Sequence, residues 1–558
     1  MKKNYFLLIA LFILNNVVSQ IVNIPDANFK AKLLAASSSN TTAKNLAGNY
    51  FKVDANSDGQ IQESEALLLK ELDVSFTAIN SLVGITSFTN IQVLNCYTNL
   101  LSSLDVTGLT NLKSLNCTNN KLTSFNVSSL ENLQYLWCDQ NLLTTLNVTG
   151  LNNLETFNCG FNQLTELDVS SLSKLKELVC EQNKLTALNL SGLSTLITLR
   201  SQENLLTSIN FNGANNLEII DVLGNDLSIL NLTGLSKLKY LECDGNQLDN
   251  LDLTGLNNLL VLIISGNNIS SIEVSHLTNL EYFSCYGNKL TSLDVSSLVN
   301  LGTLICHDNK LTNLTIGDVV LKELDCSSNL LEVLVVKNVF NLNCSHNNLT
   351  TLTTEFIRDL DCSFNKFVTL DLRTIKTFYH ASENSPNDFF GLNSVNFSDN
   401  PFLTNTYLKN PSESLFGIPN PPGQNNTIRY PFTNTPNLTY LCVWDYDVNN
   451  FKNKATQNGY IDCVVDSSCD SSLETIDFNF STYFTIHPNP VDTFLSLTVK
   501  NEILIKSIAV YDMLGQLVLV LPTNKEISNI DVSSLRTGNY IIKIDTNKGI
   551  SRSKFIKN

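Results

Sequence analysis

The chain is poor in charged residues, in histidine and in long apolar runs, and each shortage excludes a class of protein. Charged residues make up 16% of the 558 residues, and the formal net charge is −16. An acidic chain without clustered cations is a poor candidate for binding nucleic acid or an anionic membrane surface. Its five histidines form no His-Glu-x-x-His motif, and neither a Cys-x-x-Cys pair nor a Gly-rich phosphate loop occurs. We therefore expect a protein that is not an enzyme and that binds no nucleic acid.

The N-terminus has the features of a secretory signal peptide, residues 1–20. Lys2 and Lys3 precede the apolar run Tyr5–Leu14, and Val17 and Ser19 are suited to a cleavage site near Gln20. A run of this length is too short to span a bilayer, which takes about 20 residues. No other stretch is longer, so we expect an exported chain with no membrane span.

An asparagine returns every 21 residues from Asn99 to Asn309, in eleven copies. Each copy reads Leu-x-x-Leu-x-Cys-x-x-Asn-x-Leu-x-x-Leu-x-Val-x-x-Leu-x-x, the signature of a leucine-rich repeat. The Leu-x-Cys segment alternates with period two, which predicts a short strand. The predicted fold is an α/β-type repeat solenoid, mostly β, with a parallel sheet of stacked strands and a C-terminal all-β sandwich.

Two columns of the repeat are predicted to be structural. The asparagine can satisfy backbone groups that the turn leaves buried, so successive copies should form a ladder. The position three residues earlier accepts Val222 and Ile264 as well as cysteine, which indicates a small buried packing site rather than a disulfide or metal ligand. Its cysteines are Cys96, Cys117, Cys138, Cys159, Cys180, Cys243, Cys285, Cys306, Cys326, Cys344 and Cys362.

The pattern divides the chain into segments. They are an N-terminal cap at 21–75 with a helix over Glu63–Leu72, the solenoid at 76–400, a C-terminal cap at 401–465, a linker at 466–480 and the β-sandwich at 481–558. Three cysteines lie off the repeat register, at Cys442, Cys463 and Cys469. A disulfide between Cys442 and either of the others would fasten the C-terminal cap, and Cys463 is the preferred partner.

Residues 54–65 fit the calcium loop of an EF-hand. Calcium prefers oxygen ligands, a glycine at the sharp turn (here Gly59) and a bidentate carboxylate at the twelfth position. The predicted ligands of a structural calcium ion are Asp54, Asn56, Asp58, Gln60 through its carbonyl, and Glu65. The alternative is a metal-free turn leading into the capping helix.

The exposed strand positions line the expected concave face, where solenoids bind partners. They are polar in the early copies and become aromatic and aliphatic in the later ones, with a few acids among them. Such a patch is typical of a surface that binds protein or glycan, although β-propensity alone also favours Tyr and Ile in strands. The patch contains Ile219, Tyr240, Val261, Tyr282, Ile263, Ile305, Leu223, Tyr286 and His307, with Glu242 and Asp244.

Several segments resemble known families. The repeats are similar to internalin-type bacterial leucine-rich repeats, and the segment Ile24–Phe29 with the loop after it resembles the N-terminal region of such proteins from Bacteroidetes. The last 75 or so residues resemble the type A C-terminal sorting domain of the type IX secretion system, with His487 where that family usually has Tyr. The matching residues are Pro488, Asn489, Pro490, Asp512, Gly515, Gly538, Tyr540 and the closing Lys554–Lys557.

This resemblance implies passage through the periplasm and across the outer membrane, followed by release or anchoring on the cell surface. The partners it implies are the type IX machinery and an unidentified ligand. We expect a secreted or cell-surface protein that binds a protein ligand and serves in adhesion. Glycan capture is the alternative, and a purely structural surface-layer role also remains open.

Overall fold

The computed structural model describes residues 20–376, 378–382, 385–390, 392–409, 430–469, 483–500, 505–513, 516–521, 529–546 and 549–558. The expected signal peptide before Gln20, most of the expected linker, and Gly515 lie outside these ranges. The chain divides into two compact units. Unit 1 is Met1–Asn405 with Asn410–Leu438, and unit 2 is Thr406–Lys409 with Thr439–Asn558.

One sheet of 17 strands runs through unit 1. Its first pair is antiparallel, and every later neighbour in the series is parallel and aligned residue for residue. This register confirms the predicted repeat solenoid. In order, the strands are Ala43–Asn45, Leu69–Asp73, Val93–Asn95, Ser114–Asn116, Tyr135–Trp137, Thr156–Asn158, Glu177–Val179, Thr198–Arg200, Ile219–Asp221, Tyr240–Glu242, Val261–Ile263, Tyr282–Ser284, Thr303–Ile305, Val320–Asp325, Asn338–Asn343, Phe356–Asp361 and Ser394–Asn396.

Alternation along each strand sets its inner and outer faces. In the strand Tyr240–Glu242 the central Leu241 is fully buried, while its two neighbours are only partly buried. Cys243, two residues beyond Leu241, is again fully buried. The other ten repeat cysteines are also buried and free, so the packing role predicted for them is confirmed. Burial raises the pKa of the Cys96 thiol to about 12, which leaves it unreactive near neutral pH.

The asparagine ladder has the predicted role. In Asn141 the Nδ2 atom donates to the carbonyl of Cys138 at 3.1 Å and to that of Cys117 in the preceding repeat at 3.0 Å. Its Oδ1 atom accepts the N–H of Leu122 at 3.0 Å. One buried side chain therefore satisfies backbone groups of two turns, which the turn geometry leaves without strand partners.

The second half of each repeat is extended or turned, as its length predicts. Among the described residues, no helix is long and apolar enough to cross a membrane. Some copies add short strands in their second half or nearby. These shorter elements are the pairs Ala187–Asn189 with Ser208–Asn210, Ser292–Val295 with Asn313–Ile316, Val333–Val335 with Thr351–Thr353 and Phe378–Ser382 with Ser385–Phe390, the strands Thr369–Asp371 and Asn405–Tyr407, and a 3₁₀ turn at Ile85–Ser87.

The N-terminal cap contains two helices, Ala27–Leu34 and Glu63–Ala66. The predicted helix over Glu63–Leu72 is therefore too long. Its second half forms the strand Leu69–Asp73, because Leu72 pairs with Leu94 of the next repeat and becomes the first parallel rung. Local helical periodicity is overridden here by pairing with the solenoid.

The disulfide joins Cys442 to Cys469, so the preferred pairing of Cys442 with Cys463 is wrong. The strands Tyr440–Cys442 and Val464–Asp466 run parallel, with Cys442 opposite Asp466. Cys463 therefore lies at the far end of the strand pair from Cys442. Cys469 itself has a positive φ of 50°, and its Cα lies 5.3 Å from that of Cys442. The helix Val448–Gln457 connects the two strands.

The C-terminal sandwich contains two antiparallel sheets, as predicted. One sheet has the strands Phe484–His487, Phe494–Val499 and Asn529–Asp531, and the other has Leu517–Leu521, Ile505–Asp512, Gly538–Thr546 and Gly549–Lys557. Both contribute to one apolar core, in which Phe484, Ile508, Ile542 and Phe555 are fully buried.

Candidate functional site

The candidate site is the outward face of the parallel sheet in unit 1, which we call the sheet face. Each row of this face contains the two outward residues of one strand and the residue after the buried cysteine position. The register places Ile219, Tyr240, Val261 and Tyr282 side by side in one column. The structure therefore brings the predicted patch residues together across five consecutive rows, and all remain partly or largely exposed.

Aromatic side chains of the patch make specific contacts. The Tyr240 hydroxyl donates a hydrogen bond to Glu242 Oε2. The rings of Tyr286 and His307 stack with centroids 4.6 Å apart, and Tyr286 is 38% exposed. A separate stacked pair, Tyr135 with Trp137 at 5.8 Å, lies in an earlier row. These contacts fix the ring orientations, and the stacked rings remain partly exposed.

Two acids in the rows of the patch, Asp221 and Asp244, are poorly solvated. Burial, together with the nearby Glu242 carboxylate, raises the pKa of Asp221 to about 6. The same two causes raise the pKa of Asp244 to about 6. Arg200 lies across from Asp221 with Nη1 and Oδ2 3.9 Å apart. Burial and the hydrogen bond to Glu242 raise the pKa of Tyr240 as well, so it remains a neutral hydrogen-bond donor.

A strip of glycines beside the patch was missed by sequence reasoning. Gly224, Gly245, Gly266 and Gly287 precede the ladder asparagine in four consecutive repeats, each with φ near +60°. Other repeats carry side chains such as Glu203 at this position, at a similar φ. The strip leaves exposed backbone next to the aromatic rows. Four glycines at the repeat spacing were the signal that could have revealed it.

A pocket with a volume of about 350 Å³ lies nearer the C-terminal end of the sheet face. Its lining includes Asp325, Asn343, Asp361 and Asn396, which alternate acid and amide along one column. Each amide bonds to the acid of the preceding row, since Asn343 Nδ2 donates to Asp325 Oδ2 at 3.1 Å and Asn396 Nδ2 to Asp361 Oδ2 at 3.0 Å. This column is largely satisfied by its own hydrogen bonds.

The predicted calcium loop places its two most important carboxylates inside the cap. Asp54 and Glu65 are 5% and 6% exposed. Asp54 accepts the N–H groups of Asp58 at 3.1 Å and Gly59 at 3.2 Å, and Glu65 Oε1 accepts that of Ala55 at 2.8 Å. The oxygen donors have the chemistry that calcium prefers. Within the described residues, however, no group of three or more His, Cys, Asp or Glu is arranged to hold a metal.

In the loop, the side-chain amides of Asn56 and Gln62 donate to Asp58 Oδ2, at 3.0 and 2.7 Å. Gln60 donates its backbone N–H to Asp58 Oδ1 at 2.8 Å. The loop therefore closes on itself through hydrogen bonds, and calcium binding stays a prediction.

The described sorting-motif residues hold the last strand of unit 2. Asn489 bonds twice to that strand, donating to the Lys554 carbonyl at 3.2 Å and accepting the Ile556 N–H at 2.8 Å. Tyr540 stacks on Phe555 and donates its hydroxyl to the Arg536 carbonyl at 2.8 Å. These contacts explain why the motif combines Pro-Asn-Pro with the closing segment.

Residues 485–558 match the family described as the secretion system C-terminal sorting domain. The match confirms the expected sorting domain, which was predicted to begin at residue 481. The comparison with curated proteins gives no match.

Solved bacterial leucine-rich repeat proteins are similar to this chain. One is the functional domain of InlJ from Listeria monocytogenes, which is described as including a cysteine ladder. The two sequences are 21% identical, the alignment covers 97% of this chain and 98% of the InlJ chain, and the TM-score is 0.48. A Leptospira interrogans LRR protein is 26% identical over 58% and 94% of the two chains, with a TM-score of 0.43. YopM from Yersinia enterocolitica is 20% identical over 67% and 82%, with a TM-score of 0.44. Because these TM-scores are low, the fold assignment rests on the repeat register itself.

Proposed function

We propose that this chain is a non-enzymatic binding protein of the cell surface or the secreted medium, exported by the type IX system. It binds a protein ligand through the sheet face, and the protein serves in adhesion. The sorting domain supports the export route, and it implies a mature protein that is either released or anchored outside the cell.

The clustering of the patch carries the proposal. If β-propensity alone placed Tyr and Ile in exposed strand positions, they would scatter over all rows. Instead, Tyr240, Val261 and Tyr282 lie in consecutive rows of a sheet that is mostly polar elsewhere. Contiguous exposed apolar and aromatic side chains beside polar ones are typical of interaction surfaces.

The test is ligand capture by the full chain on arrays of purified extracellular proteins. Tyr240→Ala combined with Tyr282→Ala should abolish capture without changing the melting temperature. The matched control is Ile229→Ala with Val299→Ala, because these side chains are 76% and 68% exposed but lie outside the sheet face. Unchanged capture by the tyrosine variant, or equal loss in the control, contradicts the proposal.

Glycan capture is the second candidate, and the stacked pair of Tyr286 and His307 favours it. Open ring faces of this kind can pack against sugar rings. A glycan array run with the same variants and with Tyr286→Ala separates the two functions. If the chain binds sugars, Tyr286→Ala removes that binding and the protein arrays give no ligand, glycan capture is favoured.

We also propose that the loop 54–65 binds one structural calcium ion that fastens the N-terminal cap. Calcium should raise the melting temperature of the full chain, a chelator should reverse the rise, and Glu65→Gln should abolish it. Glu63→Gln is the control, because Glu63 is exposed two residues away on the same helix. If calorimetry detects no binding and the chelator leaves the melting temperature unchanged, the loop is a metal-free turn.

A further inference from the structure

The sheet face is biased toward negative charge. Its 16 parallel rows contain twelve carboxylates and a single arginine, Arg200, with His307 as the one histidine. The carboxylates are Glu71, Asp73, Asp139, Glu177, Glu181, Asp221, Glu242, Asp244, Glu323, Asp325, Asp359 and Asp361. Such one-sided charge produces a potential along the face that attracts cations.

The column just before each strand is different, because its charges pair with one another. Lys176 Nζ lies 2.7 Å from Glu155 Oε2, and Lys239 Nζ lies 2.7 Å from Glu218 Oε2, each across one repeat. The cations of unit 1 near the sheet are therefore partly neutralised at its border. On the sheet face, Glu71 pairs with Lys44 at 2.7 Å and Asp359 lies 3.6 Å from Arg358, and the other carboxylates leave an excess of negative charge there.

The centre of the patch holds carboxylates that lack a full set of partners. Asp221 is only 7% exposed, and Arg200, the cation it faces, is no closer than 3.9 Å. Asp244 Oδ1 is buried and has no hydrogen-bond partner among the described residues. Buried carboxylates cost free energy unless a cation or donor compensates them. A ligand that brought cations here would relieve that cost.

We propose that the sheet face takes a lysine- or arginine-rich segment of a protein, an inference that rests on the proposed function and specifies its ligand. The cationic ends meet Asp221, Glu242 and Asp244, while Tyr282 and Tyr286 offer ring faces to the cations and to their aliphatic stems. Charge complementarity favours this partner over an acidic protein or a neutral glycan.

The raised pKa values of Asp221 and Asp244 make this interaction sensitive to pH. Asp221 faces Arg200, Glu242 and Glu181, and Asp244 faces Glu242 and Asp221, so apart from Arg200 every charged neighbour of the two is acidic. A bound ammonium group lowers the pKa of both carboxyls, and protons are released on binding below neutral pH. Binding is therefore weaker when the two carboxyls are already protonated, by about three- to tenfold between about pH 7.5 and about pH 5.

The experiment measures binding of a fluorescent peptide of alternating lysine and threonine to the full chain, with a glutamate–threonine peptide for comparison. Asp221→Asn with Asp244→Asn keeps the side-chain shape and removes the charge, and it should weaken lysine-peptide binding at least about fivefold and flatten its pH dependence. The control Glu131→Gln with Glu166→Gln removes the same charge from exposed positions outside the sheet face. It should change binding by less than about twofold, as expected for exposed charges away from the contact.

Equal weakening in both variants overturns the proposal, because the peptide then senses only the net charge of the protein. Absence of lysine-peptide binding also overturns it. If Tyr240→Ala with Tyr282→Ala still abolishes capture of a protein ligand in that case, the proposed function stands and only the basic character of the ligand is wrong. If the lysine peptide binds as expected but the tyrosine variant captures ligand normally, the preference for basic segments stands and the proposed role of the tyrosine patch is wrong.

Discussion

Replacing one ladder asparagine should destabilise the solenoid far more than replacing an exposed one. Asn141→Ala removes a side chain that is 6% exposed and bonds to Cys117, Cys138 and Leu122. The Leu122 N–H would remain in the interior without a partner, whereas the Cys117 and Cys138 carbonyls would keep their bonds to Asn120 and Asn162. A buried donor left unsatisfied costs about 1–3 kcal/mol, so we expect a loss of about 2 kcal/mol.

The control is Asn153→Ala, because Asn153 makes a similar bond across one repeat, from Nδ2 to the Glu131 carbonyl at 2.9 Å, but this bond is exposed to solvent. Water can replace that bond, so the expected loss is under about 1 kcal/mol. Guanidinium denaturation followed by circular dichroism measures both on the full chain. Equal losses for Asn141→Ala and Asn153→Ala would refute the reasoning, since burial would then not govern the effect of the ladder.

Two further predictions concern the N-terminal cap and the disulfide of unit 2. Although burial opposes its ionisation, four backbone N–H donors hold the pKa of Asp26 below its usual value, so its contribution is present above about pH 4 and is lost as pH falls further. Asp26→Ala should cost about 1 kcal/mol at neutral pH, and this difference should shrink in acid; a pH-independent difference in thermal melts contradicts it. Cys469→Ser opens a disulfide that closes a 27-residue separation, with an expected loss of about 3 kcal/mol in unit 2, whereas Cys463→Ser should have little effect on the same melts.

The repeat was predictable because its determinants are local and periodic. The period of the asparagines fixes the strand register, and the tolerance of Val222 and Ile264 at the cysteine position identifies a packing site. Grouping of the patch residues followed directly from that register, since residues 21 apart become neighbours.

The disulfide partner, the end of the second helix and the desolvated acids could not be predicted, because each depends on which strands lie side by side. The choice between Cys463 and Cys469 required knowing that Val464–Asp466 pairs in parallel with the strand containing Cys442. The end of the second helix required knowing that Leu72 pairs with the first full repeat. The desolvation of Asp221 and Asp244 depends on three adjacent rows together, which no single repeat reveals.

Hydroxyl-radical footprinting of the full chain, with and without the lysine peptide, tests most directly whether the sheet face receives the ligand. Oxidation of Tyr240, Tyr282 and Tyr286 should fall when the peptide is bound, while Tyr50 and Tyr446, which are exposed outside this face, should be oxidised as before. Protection of Tyr50 or Tyr446 with unchanged oxidation of the three patch tyrosines would contradict the account.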